Sequence, residues 1–208
     1  MKIYLSIGGG QTVRDMINKY DLAGWCIAPD KVMNPGDFHY ILDNGAFHAW
    51  NHGKTWSENR FKRLVQKFPG YDFVVAPDIV CGGDRSLRKS LEYTNQIPGP
   101  LYLAVQDGMN AKDVCEHIDL FDGLFIGGSI SWKFQTARMW SQICKLYKKK
   151  CHAGNVNSYE GLIHMHFSGV DSVDGSTASR HQDDTQIRKY FDHLKTQTTL
   201  IDKRQAGL

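Results

Sequence analysis

Short runs of apolar, β-branched or aromatic residues alternate along this chain with longer stretches whose apolar residues recur at helical spacing. Strand-like runs occupy residues 3–7, 25–28, 40–42, 73–76, 101–105, 124–126, 150–152 and 170–173. Helix-like stretches occupy 12–19, 57–67, 85–94, 111–117, 134–146, 158–167 and 184–195. A continuous apolar run of a few residues reads as a strand covered on both faces, whereas recurrence at three and four residues reads as helix. Ser57 and Ser158 stand where helix N-caps belong, and Glu58 adds negative charge to a first turn. Pro69-Gly70 and Pro98-Gly99-Pro100 stop the elements before them. Strands alternating with helices imply a parallel sheet. Eight strands in this rhythm predict a compact α/β fold of the (β/α)8 TIM-barrel type. It is expected as a single domain over residues 1–195, with a short polar tail over 196–208. An open doubly wound sheet is the architectural rival. Against it, GGGQT after the first run is not G-x-G-x-x-G, and no acidic ribose partner is well placed.

Three of the apolar runs end on an aspartate beside small residues. They are YILDNGAF with Asp43, FVVAPDIV with Asp78 and GVDSVDGS with Asp174. In a parallel barrel the loops that follow the strands form the active face. Along the strand ends lie Asp43, Asp78, Gln106, Gly127-Gly128, His152 and Asp174. An Asp and a Gln can read a base edge, since a carboxylate accepts from N–H groups and an amide both donates and accepts. A Gly-Gly pair lets backbone approach a flat ligand. Two further carboxylates can serve as nucleophile and acid/base across a glycosidic bond. Taken singly, each of these residues is as well explained as a helix cap or turn former. The set at equivalent strand ends is what points to chemistry.

Composition narrows the classes. The chain has 208 residues, 41% of them hydrophobic and 23% charged, an ordinary globular balance. A net charge of +3 permits a polyanionic partner without demanding one. The five cysteines form no C-x-x-C pair and are odd in number, which argues against a disulfide framework or a closed zinc site. The first residues hold too short an apolar stretch for a signal peptide, and no run approaches the roughly 20 apolar residues of a membrane span. A cytoplasmic protein with reduced thiols is expected. His164 and His166 are two apart on a helix-like stretch, a spacing that places them on different faces and disfavours metal chelation.

Several segments together resemble the guanine transglycosylases, enzymes that exchange guanine in a nucleic acid for a 7-deazaguanine base. Asp43-Asn44-Gly45-Ala46-Phe47-His48 is similar to their early D-S-G-G-F-Q motif. Asp78 in VVAPDIV resembles their base-gripping strand-end Asp. Val105-Gln106-Asp107-Gly108 looks like their V-Q-G-G segment, and Gly127-Gly128-Ser129-Ile130 like their G-G-L-A turn. Gly169-Val170-Asp171-Ser172-Val173-Asp174, with Thr177 to Arg180 after it, resembles their late G-x-D-x-F-D segment and the turn that follows. The resemblance spans about residues 40–180 in matching order. The tRNA enzymes carry a C-x-C-x-x-C…H zinc site beyond the nucleophile, and no cysteine follows Cys151 here. The chain therefore looks most like the compact, zinc-free, phage-type DNA deazaguanine transglycosylases.

The resemblance implies a pentosyl transfer in DNA, with tRNA as the alternative substrate and a preQ0-like base as the small-molecule partner. It implies Asp174 as nucleophile and Asp43 as general acid/base, with no metal and no other cofactor. Asp78, Gln106, Gly127 and Gly128 are expected to bind the base, with His152 at its rim and Phe47 or His48 packed on its face. Arg85, Arg88, Lys133 and Arg180, with Lys89 and Arg138, are candidate contacts to the nucleic-acid backbone. Trp50 and Trp132 are expected to pack at the barrel edge. A non-catalytic base-binding barrel would tolerate loss of Asp174. A metal-dependent hydrolase barrel would want paired histidines at strand ends.

Overall fold

The computed structural model describes residues 1–6, 8 and 10–205, and for 198–205 the backbone alone. Eight strands close into a parallel barrel in sequence order. They are β1 (Lys2–Ser6), β2 (Gly24–Ile27), β3 (His39–Leu42), β4 (Val74–Val75), β5 (Leu101–Val105), β6 (Gly123–Ile126), β7 (Lys150–Ala153) and β8 (Ser172–Gly175). β8 pairs back onto β1, with Tyr4 opposite Asp174, which closes the ring. The connecting helices are α1 (Gln11–Tyr20), α2 (Ala46–Asn51), α3 (Glu58–Lys67), α4 (Asp84–Leu91), α5 (Ala111–His117), α6 (Ile130–Leu146), α7 (Tyr159–Ser168), α8 (Thr177–His181) and α9 (Thr185–Gln205). The chain is thus a compact (β/α)8 barrel. Ser57 and Ser158 cap α3 and α7 through their side chains. Among the described residues no helix is long and apolar enough to cross a membrane.

Side chains alternate along each strand, and the two faces build two cores. Outward-facing residues such as Leu5, Trp25, Leu103, Ile126 and Val173 join Phe61, Val114 and Trp140 of the helices in the larger core. Inward-facing Tyr4, Cys26, Ile41, Phe73, Val75, Tyr102 and Ala104 form a smaller core inside the barrel, with Phe125 against it. The rings of Phe73 and Tyr102 stack at 3.8 Å, and those of Phe125 and His152 at 5.1 Å. This aromatic filling occupies the lower part of the barrel and leaves space toward the ends of the strands.

Several elements differ from the sequence expectation, among them α6, which begins at Ile130 and not at 134. α2 and α8 are one to two turns long, too short to show a helical repeat. β8 begins two residues later than the strand expected at 170–173, which puts Asp174 inside the strand rather than after it. α9 continues to Gln205, through most of the segment expected as a tail from 196; residues 206–208 lie outside the described part.

Candidate active site

The barrel opens at the C-terminal ends of its strands into a cavity of about 390 Å³. Asp43 after β3, Asp78 after β4 and Asp174 in β8 all line it. Its walls also hold Phe125, Ala104, Val75, Gly127, Gly128 and Gly154, with Phe47, Trp50 and Ile130 toward the mouth. A largely apolar cavity with a few convergent polar groups at this end of a barrel is the usual form of a small-molecule site.

The three carboxylates differ in environment. Asp174 is buried, with one oxygen accepting from Ser6 Oγ at 2.9 Å and the other 3.1 Å from His152 Nε2. Ser172 Oγ stands 2.8 Å from His152 Nδ1. If the serine hydroxyl donates to Nδ1, Nε2 carries the proton and donates to Asp174, a consistent neutral tautomer. Asp43 accepts from the Gly45 N–H at 2.8 Å, in a turn where Gly45 adopts a φ of 76° to launch α2. Burial pushes the Asp43 carboxyl up to about 7; the Gly45 bond opposes this, and the charges of Asp174 and Asp78 add to it. Asp78 is pushed up to about 6 by burial, against hydrogen bonds from Asn44 and Gln106 that favour its charged form.

Asp78 is held from both sides. Asn44 Nδ2 donates to one oxygen at 2.9 Å and Gln106 Nε2 to the other at 3.0 Å. Gln106 also donates to Ser86 Oγ at 2.7 Å and accepts from the Cys81 N–H at 2.6 Å. Its amide is therefore engaged by protein, so Gln106 orients Asp78 rather than offering a free edge to a ligand. Asn44 is equally engaged, donating to Ala76 O and accepting from the Ala46 N–H. Gly127 lines the cavity, but its N–H continues the sheet ladder to Val105 O at 2.8 Å. Gly128 needs its positive φ of 76°, and a Cβ there would stand 2.3 Å from Asp107 Oδ2. Asp107 in turn ties down Ser129, the N-cap of α6, through the Ser129 N–H and hydroxyl.

Several expected roles need correction. His152 is fully buried beneath Asp174 among Tyr4, Phe73 and Phe125, so it supports the carboxylate and is not part of the cavity wall. Lys133 is not a surface phosphate contact: it is 5% exposed, lines the cavity and donates from Nζ to Gly154 O at 2.6 Å. His48 turns away from the cavity to Asp30, at 3.1 Å. Trp50 stands 55% exposed at the mouth beside Phe47, which is 52% exposed, so neither packs into the core. Trp132 does pack inward, against Trp140. Arg85, Arg88, Arg138 and Arg180 are exposed, while Lys89 pairs with Glu92. His164 and His166 bond to Phe134 O and Tyr190 Oη respectively, away from the cavity. Among the described residues, no group of three or more His, Cys, Asp or Glu side chains is arranged to hold a metal ion.

Sequence reasoning missed Ser6, Asn44 and Ser86 as parts of the site. Ser6 and Asn44 lie at strand ends beside the named carboxylates, a position that carries the signal. Ser86 sits in α4 and has no such mark.

Architecture and site together define a (β/α)8 barrel with a carboxylate-lined cavity at the active rim. Neither the protein-family models nor the curated proteins give a match to this chain.

Proposed function

We propose that this chain is a nucleic-acid guanine transglycosylase that exchanges guanine in DNA for a 7-deazaguanine base through a glycosyl-aspartate intermediate. The observation that carries this reading is the convergence of Asp43, Asp78 and Asp174 on one cavity in three unlike environments. Asp174 held by Ser6 and His152, Asp43 on the Gly45 turn, and Asp78 clamped by Asn44 and Gln106 suit the separate roles of nucleophile, acid/base and binding group.

In this reading Asp174, held by Ser6 and His152, attacks C1′ of a deoxyguanosine. The carboxylate–C1′ bond forms as the C1′–N9 bond breaks, and the departing base takes a proton from Asp43. Burial keeps Asp43 protonated to about pH 7, so the acid form is available near neutrality. Asp43, now a carboxylate, removes the N9 proton of the incoming 7-deazaguanine. N9 then attacks C1′ and the bond to Asp174 breaks. Two inversions retain the β configuration.

Asp78 accepts from N1–H and the exocyclic amine of guanine, with Asn44 and Gln106 fixing its plane. Adenine presents the wrong pattern there and would leave the cavity-facing lone pairs of Asp78 without donors. The reacting nucleotide must leave the base stack to reach the cavity. Phe47 and Trp50 offer aromatic surface at the mouth for such a nucleotide. Arg85, Arg88 and Arg180 are the candidate phosphate contacts. The choice of DNA over tRNA, and of a preQ0-like base, rests on the resemblance to the compact zinc-free enzymes.

The test is incorporation of a labelled 7-deazaguanine into guanine-containing DNA and, in parallel, into tRNA, with Asp174→Ala as control. Label entering DNA with the wild type and not with the variant supports the reading. Label entering tRNA alone moves the substrate to tRNA. Label entering neither, with a folded protein, refutes exchange by this chain.

A further inference from the structure

Four carboxylates line the cavity, those of Asp43, Asp78, Asp107 and Asp174, and among its described residues the one cation is Lys133. The mechanism above does not use it. Lys133 lies in the first turn of α6 and donates from Nζ to Gly154 O at 2.6 Å, just after β7. β7 pairs with β8 in the register His152 to Ser172 and Ala153 to Val173. The next position beside Gly154 is therefore Asp174. A Cβ at Gly154 would stand 2.2 Å from the Phe125 ring, so that position offers backbone only, and the lysine head rests on its carbonyl. This is its one hydrogen bond among the described residues, so its charge acts on Asp174 through space.

Asp107 also faces the lysine. Its two oxygens are engaged by Ser129, one by the N–H at 2.7 Å and one by the hydroxyl at 2.8 Å. It thereby anchors the N-cap of the helix that carries Lys133. Burial lowers the Lys133 ammonium from its ordinary value, and the charge of Asp174, followed by that of Asp107, opposes this.

Resting on the exchange reading, Asp174 must be a carboxylate while Asp43 still holds its proton. The charges acting on Asp43 are all negative, those of Asp174, Asp78 and Asp30. Around Asp174 stand Ser6 from β1, Cys26 from β2, Asp43 after β3, His152 from β7 and Lys133 from α6. With His152 neutral, Lys133 alone among these brings positive charge. We infer that Lys133 is a positioning residue that keeps the nucleophile anionic: its ammonium, set on the carbonyl beside Asp174, offsets the charge of that carboxylate and not of Asp43. The same charge serves the second displacement. N9 bonds to C1′, the C1′–O bond to Asp174 breaks with its electron pair returning to the carboxylate, and Lys133 stabilises the anion released.

The test has two parts, both on the full chain. Lysine-selective 13C NMR follows Lys133 against pH in the wild type, Asp174→Asn and Asp107→Asn, with Lys133→Arg giving the assignment. Lys133 should titrate lower in Asp174→Asn than in the wild type, and by more than in Asp107→Asn. In the label assay, Lys133→Met should move the acid limb of exchange up by about one pH unit, the effect of removing an opposite charge near a carboxylate. The alkaline limb, set by Asp43, should stay. Lys133→Gln keeps a donor for Gly154 O without the charge, should behave like the Met variant, and serves if that variant does not fold. Lys133→Arg should keep the wild-type acid limb. A merely structural role would lower the whole profile without moving one limb. An unmoved acid limb in a folded, active variant, or a larger Lys133 shift in Asp107→Asn than in Asp174→Asn, overturns this inference and leaves base exchange standing. No incorporation by folded wild type overturns the exchange reading and the catalytic part of this inference, while the Lys133 titration still decides the charge pairing.

Discussion

Asp43→Asn should make the protein more stable at pH 8 and leave its stability at pH 4 unchanged. Burial raises the Asp43 carboxyl from the ordinary 3.8 to about 7. The native state therefore binds more protons than the unfolded chain between these values, and stability falls as pH rises through that window. Below pH 4 both states are protonated and the contribution is fully present; above about 7 it is lost. A displacement of about 3 pH units at ~1.4 kcal/mol each sets an upper figure of about 4 kcal/mol. The Asp43 side chain is partly open to the cavity, so water screens some of this and about 2–4 kcal/mol is expected. Asparagine keeps an oxygen to accept from the Gly45 N–H and carries no charge. Urea unfolding of wild type and variant at half-unit steps from pH 4 to 8 measures the difference directly. The two curves should meet at low pH and diverge above pH 6, with a residual slope in the variant from Asp78, which is raised to about 6. Parallel curves, or a variant less stable at pH 8, would refute the claim that the folded cavity holds Asp43 against its charge. Under the proposed base exchange the same variant should lose activity, since asparagine can neither give nor take the proton.

Other expectations follow from the contacts around the site. Gln106→Leu removes the donor to Asp78 and leaves the Cys81 N–H without its acceptor; it should cost about 1–3 kcal/mol in a urea melt and weaken guanine binding. His152→Leu should lower exchange about 100-fold or more by releasing one oxygen of Asp174, while His152→Gln, which can still donate, should recover part of the rate in the label assay. Gly128→Ala should lose about 1–3 kcal/mol in thermal or urea unfolding, because alanine resists a φ of 76° and its Cβ would strike Asp107. Trp50→Ala should leave the melting temperature unchanged, given its exposure, and weaken binding of single-stranded DNA by about 1–3 kcal/mol in a fluorescence titration.

The barrel was legible because each buried strand is a short, nearly continuous apolar run, and Leu101–Val105 matches its expected bounds outright. Asp43 and Asp78 were legible for the same reason: a strand that stops before a carboxylate delivers it to the rim. Asp174 arrived by a different route. In GVDSVDGS the alternation of Ser172 and Asp174 with Val173 continues the strand, so the carboxylate projects inward from β8 itself. Asp171, three residues earlier, faces the opposite rim and pairs with Lys150. Lys133 was illegible because a lysine in the first turn of a helix usually points to water; only the ring of strands turns that face toward the cavity. His152 misled for a related reason. Its place near the end of β7 suggested a rim contact, whereas the inward period of the strand sends it down onto the aromatic layer.

That aromatic layer has a kinetic consequence. Tyr4, Phe73, Tyr102 and His152 are all buried and stop the barrel below the carboxylates, while Phe125 forms part of the cavity wall above them. A chamber closed at its base opens at the rim of the barrel, its doorway among the described residues. Under base exchange, the expelled guanine and its replacement must use that doorway in turn, one out before the other comes in. Free guanine then queues against the incoming base for the same intermediate, and raising its concentration drives the reaction backward instead of blocking a second entrance.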